Sequence, residues 1–91
     1  KKALIFEPNN GYYLDTMGWV HYQLGQFVLA EKFILKSVDV RGDLTSAEVL
    51  DHLGDVYLAL KQHQKAKIYW QKALDKDADN QEIKKKLKAN K

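Results

Sequence analysis

The sequence predicts an all-α protein, a short solenoid of antiparallel helix pairs. Three observations carry that prediction. Residues 11–44 laid on residues 47–80 give ten identities in 34 positions at a constant offset of 36. Within each copy, apolar residues recur at three- and four-residue steps, the period of one helix face. Between the periodic stretches stand Gly, Thr, Ser, Asp and Asn, the residues at which helices start and stop.

The elements follow in order. Ala3, Leu4, Ile5 and Phe6, then the turn cluster Pro8-Asn9-Asn10-Gly11, read as a helical stub that ends before the first copy. Leu14, Met17, His21 and Leu24 line one face of a first helix, and Gly25 suits a left-handed cap at its end. Ala30, Phe33, Ile34, Ser37 and Val38 mark a second helix that should stop at Gly42. Thr45-Ser46-Ala47-Glu48 reads as a capping box, with Thr45 accepting a backbone N–H and Glu48 reaching back. Leu50, Leu53, Tyr57 and Leu60 then define a third helix. After a break at residues 61–63, Ala66, Tyr69, Trp70, Ala73 and Leu74 define a fourth. Asp79 is expected to cap a last helix beginning near Asn80, whose Ile83 and Leu87 lie four apart. Gly18 with Ala30, and Gly54 with Ala66, mark where paired helices come closest. A larger side chain there overpacks the contact at about 1–3 kcal/mol.

Composition narrows the function classes. The 91 residues suit one small domain, and a hydrophobic content of 45% is enough for a core. The chain opens on Lys1 rather than Met, which reads as a segment of something longer. There is no Cys, so disulfides and thiolate metal sites are absent. No apolar run approaches the roughly 20 residues of a membrane span. Net charge is +3, yet residues 81–91 alone carry five Lys against Glu82, or +4, which leaves −1 for residues 1–80. The basicity belongs to the tail, where lysines also suit the negative end of a helix dipole.

The order of small and large residues resembles the tetratricopeptide-repeat (TPR) signature. Met17-Gly18, His21, Gly25, Phe27, Ala30, Ile34 and Ser37 carry it in the first copy, and Leu53-Gly54, Tyr57, Ala66, Trp70 and Ala73 in the second. The resemblance implies a TPR-type right-handed helical solenoid over residues 1–91. Residues 1–8 would be the end of a preceding repeat, 11–44 repeat one, 47–80 repeat two, and 81–91 a C-terminal capping helix. Departures are His21 and His63 for aromatics, Lys61 for the turn Gly, and Gly42 and Ala78 where Pro is usual. They imply looser turns. Residues 11–19 and 51–55 are also similar to the terminal repeats of bacterial envelope-associated TPR proteins, which bears on localisation: bacterial cell envelope or cytoplasm.

TPR arrays bind proteins, and the resemblance implies a peptide groove lined by the first helix of each pair. The candidate groove residues are Tyr12, Asp15, Thr16, Trp19, Tyr22 and Gln23 in repeat one. In repeat two they are Glu48, Asp51, His52, Asp55 and Leu58, with Ala59 beside them. Glu82, Lys85 and Lys86 stand at the rim. Trp19 has two readings, an exposed anchor for a ligand or a side chain packed sideways on repeat two. Glu48, Asp51 and Asp55 put three acids on one flank, which suits a partner with Lys or Arg or, equally, a solvated acidic helix start; with the aromatics, the expected partner is a protein or peptide with basic or hydrophobic side chains. The family's carboxylate clamp uses Lys and Asn where this chain has Asp15, Trp19 and His52, so that mode is set aside.

Chemistry is sparse. His21 falls on an apolar face, His63 at a turn and His52 beside Asp51, with no pair at a zinc-binding spacing. There is no phosphate loop or nucleophile elbow. No enzyme activity, metal or cofactor is expected. Two further readings stand beside the groove. One is a structural spacer, or a self-association segment acting through the N-terminal stub, of a longer TPR protein. The other is a basic tail that contacts anionic membrane or, less favoured, nucleic acid.

Overall fold

A computed structural model describes residues 11–90. The N-terminal stub with its turn, and the self-association expected of it, lie outside the described residues. The elements are α1 (Gly11–Gln23), α2 (Phe27–Arg41), a 3-10 turn (Gly42–Leu44), α3 (Ala47–Ala59), α4 (His63–Lys76) and α5 (Gln81–Ala89). The described residues contain no strand. Helices α1 and α2 form one antiparallel pair, α3 and α4 the next, and α5 closes the array against α3 and α4. The body measures 49 × 26 × 18 Å, as stacked layers rather than a ball.

Glycine lets the partners of each pair approach. A Cβ built on Gly18 would run into Ile34, and one built on Gly54 would run into the Trp70 ring. Ile34, Trp70, Ala30 and Ala66 are all fully buried. The core runs as one cluster from Ala30 and Ile34 through Val49, Leu53, Val56, Tyr57 and Trp70 to Ile83. Trp70 is its largest member, and burying an aromatic of this size removes about 150–250 Å² from water.

The turns within the pairs are alike, and neither is loose. Gly25 N–H donates to Tyr22 and Gln26 N–H to His21; 36 residues on, Lys61 N–H donates to Leu58 and Gln62 N–H to Tyr57. These are the paired bonds of a Schellman cap, which needs a left-handed residue at its centre. Gly25 supplies it at φ 77°, and Lys61 supplies it at φ 63° despite its side chain. The sequence expectation of a looser turn at Lys61 is therefore corrected. The turn is kept, and the lysine carries the backbone strain.

Three further local expectations change. Ser46, not Thr45, caps α3, its hydroxyl accepting from Val49 N–H at 3.3 Å. Thr45 is buried and donates its hydroxyl to the Gly42 carbonyl at 2.7 Å, closing the 3-10 turn. Asn80 rather than Asp79 caps α5, accepting from Ile83 N–H at 3.0 Å. His63 is the first residue of α4 rather than part of the turn.

Candidate functional site

The first helices α1, α3 and α5 follow one another along one face of the molecule, and the expected groove residues divide there into two clusters. The first joins α1 to α3. Trp19 and Tyr22, one turn apart, stack at 4.7 Å and 10°, and Trp19 stacks on His52 of α3 at 3.8 Å and 15°. All three are half-buried. Tyr22 also meets Phe27 at 5.5 Å. Of the two readings of Trp19, sideways packing on repeat two is seen in this stack, and the ring is half-buried there. Asp15 lies 3.9 Å from His52 Nδ1, beyond hydrogen-bond range, and neither of the two facing atoms has another partner.

The second cluster joins α3 and α4 to α5. Lys86 reaches Asp51 at 2.8 Å and Asp55 at 3.0 Å, and the Trp70 indole N–H donates to Asp55 at 3.2 Å. Burial raises the Asp55 carboxyl, a rise that the Lys86 ammonium and the indole partly offset. Burial alone would lower Lys86, but hydrogen bonds to Asp51 and Asp55 carry it upward. The acid pair thus has an internal cation. From the sequence the two acids suit either a partner's Lys or Arg or a solvated helix start, with Lys86 at the rim; the structure instead pairs them with Lys86. The missed signal was positional, since Lys86 stands 34 residues after His52, one repeat on. Tyr22 connects the clusters: its hydroxyl is raised by burial and then by the nearby Asp55 charge.

The remaining expected residues are placed separately. Leu58 packs against the core cluster, and Thr16, Gln23 and Glu48 are exposed. Tyr12 lies in α1, but its side chain is outside the described residues. Beside the acid pair a recess of about 540 Å³ opens between α3 and the start of α5. Glu48, Asp51, His52, Asp77 and Glu82 are among its lining residues, and it is polar and acid-rich. His21 is half-buried, with Nδ1 2.6 Å from the Gln26 amide oxygen and its ring stacked on Phe33. Among the described residues no cluster of His, Asp and Glu could hold a metal ion. No described helix is long and apolar enough to cross a membrane. Of the tail lysines, Lys84, Lys85 and Lys88 are exposed while Lys86 is engaged.

Two duplicated helix pairs with a glycine contact in each, closed by a further helix, are now matched by comparison. The family profile for the Tetratricopeptide repeat matches residues 47–80, the α3–α4 pair with its following turn. A TPR repeat-containing protein of Methanocaldococcus jannaschii is similar to this chain, 28% identical over 72 residues. That stretch is 79% of this chain and 12% of the archaeal protein, so the chain spans a small part of that TPR protein. The TPR match and the five stacked helices of the described residues make the architecture a helical-repeat solenoid. TPR repeats as a family mediate protein–protein contact.

Proposed function

We propose that the chain is a protein-interaction module that binds a peptide or protein segment along the face of α1, α3 and α5. The stacked Trp19–Tyr22–His52 trio carries this reading. Aromatic side chains with a buried body and an accessible edge are enriched at binding hot spots. They also bring contact area at small entropic cost. A partner's apolar side chain would lie on this trio, and a basic side chain would enter the acidic recess at Glu48 and Glu82. Lys86 already serves Asp51 and Asp55, so Asp51 lines the recess without supplying free charge to it. An adaptor or scaffold role in a longer array is part of the same proposal. A place in the bacterial cell envelope is supported only by the likeness of residues 11–19 and 51–55, and fractionation of cells tests it.

A displayed peptide library selected on the immobilised chain tests the binding face. Affinities of the selected peptides are then measured for wild type, Tyr22→Ala, Glu48→Lys and Ile68→Ser. Ile68 is exposed on α4, away from the first helices, and serves as the control. Loss of a hot-spot aromatic costs about 2 kcal/mol, so Tyr22→Ala should weaken binding at least about tenfold. Glu48→Lys should weaken peptides with Lys or Arg, and Ile68→Ser should change nothing. Full affinity in Tyr22→Ala, with circular dichroism unchanged, would move the site off this face.

A further inference from the structure

The seam between α1 and α3 holds an unsatisfied pair. His52 Nδ1 and Asp15 Oδ1 face each other at 3.9 Å, each closed off from water and without a hydrogen bond. Buried polar atoms nearly always have a partner, so two orphans that face one another call for an explanation. The seam between α3 and α5 shows the filled version. There Lys86, 34 residues after His52, closes on Asp51 at 2.8 Å and on Asp55 at 3.0 Å. Asp15 and Trp19 stand 36 residues before those two acids, so the first seam sets one acid and one indole around an imidazole. An ammonium keeps its charge at every ordinary pH, whereas an imidazole changes charge between pH 5 and 8.

Burial works against a charge on His52, and its neighbours work for one. The ring lies on Trp19 at 3.8 Å and 15°, where an imidazolium gains cation–π attraction. The acids around it among the described residues are Asp15 of α1, Glu48 on its own helix, Asp77 after α4 and Glu82 of α5. The cation in this neighbourhood, Lys86, is committed to Asp51 and Asp55. The Tyr22 hydroxyl, raised by burial, stays neutral throughout the imidazole range. We infer that His52 is a proton-operated joint between the two helix pairs: a proton on the ring lets Nδ1 donate to Asp15 and draws α1 onto α3, and its loss removes that ion pair. The unfolded chain has no such pair. The extra stability is therefore present at pH 5 and is lost as the pH rises through the imidazole range. The α3–α5 seam, held by an ammonium, keeps its ion pairs over the same range. The joint works in the same way whether or not the face holds a partner.

The test melts the full chain at pH 5 and pH 8 as wild type, Asp15→Asn, His52→Gln and the double variant. His21 and His63 are common to all four, so their effects cancel in the differences. The lead of wild type over His52→Gln should be about 4–8 °C larger at pH 5 than at pH 8. In the Asp15→Asn background most of that pH-dependent lead should disappear, so the two positions are coupled at pH 5 and not at pH 8. A second readout needs no variant. An imidazolium against an indole quenches its emission, so tryptophan fluorescence of the wild type should dim as the pH falls from 8 to 5, and His52→Gln should flatten that response. Parallel pH profiles of melting for wild type and His52→Gln would overturn the inference. So would wild-type emission that stays level from pH 8 to pH 5, even if a variant fails to fold.

Discussion

Replacing the two helical glycines with alanine separates packing from helix propensity. Gly18 and Gly54 occupy the same repeat position, so alanine brings each the same gain of about 1 kcal/mol from propensity. What the new methyl meets differs. At position 18 it meets Ile34, mainly the Cγ1–Cδ1 arm with the backbone N at 3.2 Å, and that arm is slimmer than a ring although its first torsion is stiff. At position 54 it meets the indole of Trp70, a rigid ring that is fully buried and tied through its N–H to Asp55. Overpacking against such a ring falls at the upper end of the range, about 3 kcal/mol. Shifting the ring also strains a hydrogen bond to a charged group, worth about 1.5 kcal/mol or more. Less the propensity gain, Gly54→Ala should cost about 3 kcal/mol and Gly18→Ala about 1 kcal/mol. In a domain of this size about 1 kcal/mol moves the melting temperature by 4–8 °C, so the two variants should melt at least about 8 °C apart. Thermal unfolding followed by circular dichroism reads the difference. Equal losses, or a Gly54→Ala protein that melts above wild type, would refute the reasoning that a rigid ring sets the helix spacing.

Other consequences are open to the same kind of measurement. Lys61→Gly relieves a left-handed lysine and should raise stability by about 1 kcal/mol in urea unfolding, whereas Gly25→Lys should lower it. Lys86→Ala leaves Asp51 and Asp55 without their cation and should cost about 1–3 kcal/mol. Hydrogen exchange should then speed up at the amides of residues 83–86 and stay unchanged in α2. Burial, followed by the Glu31 carboxylate, raises the Tyr57 hydroxyl above its usual 10.0. The unfolded chain then gives up this proton first, so stability falls as pH climbs past about 10. A Tyr57→Phe protein should show a shallower alkaline decline in melting temperature.

The fold was legible because its signals repeat. Two copies at a fixed offset mean that a position such as Gly18 or Ala30 is read twice, and a chance pattern seldom survives both readings. Helix starts were less legible. Thr45 and Ser46 are both good caps, and the choice fell to Ser46 because Thr45 is drawn into the turn by the Gly42 carbonyl. The candidate face was legible as a list of residues but not as a set of pairings. Sequence spacing places Asp51 and Asp55 on one flank of α3, yet it does not say that α5 swings Lys86 between them. That pairing depends on the register of α5 against α3, which Ile83 sets by entering the core. Trp19 was ambiguous for the same reason, since its neighbour His52 lies 33 residues away.

The two tryptophans fall one in each helix pair, and their surroundings differ. Trp70 is sealed from water beside a carboxylate, while Trp19 is half open against an imidazole. Their emission should therefore differ in colour and in access to a soluble quencher. Repeat arrays gain stability unit by unit and from neighbour to neighbour. With Trp19→Phe or Trp70→Phe, each pair has its own optical reporter, and the melting of one can be timed against the other. Coincident transitions would measure how firmly the α1–α3 seam couples the units, and separated transitions would give the stability of each unit alone.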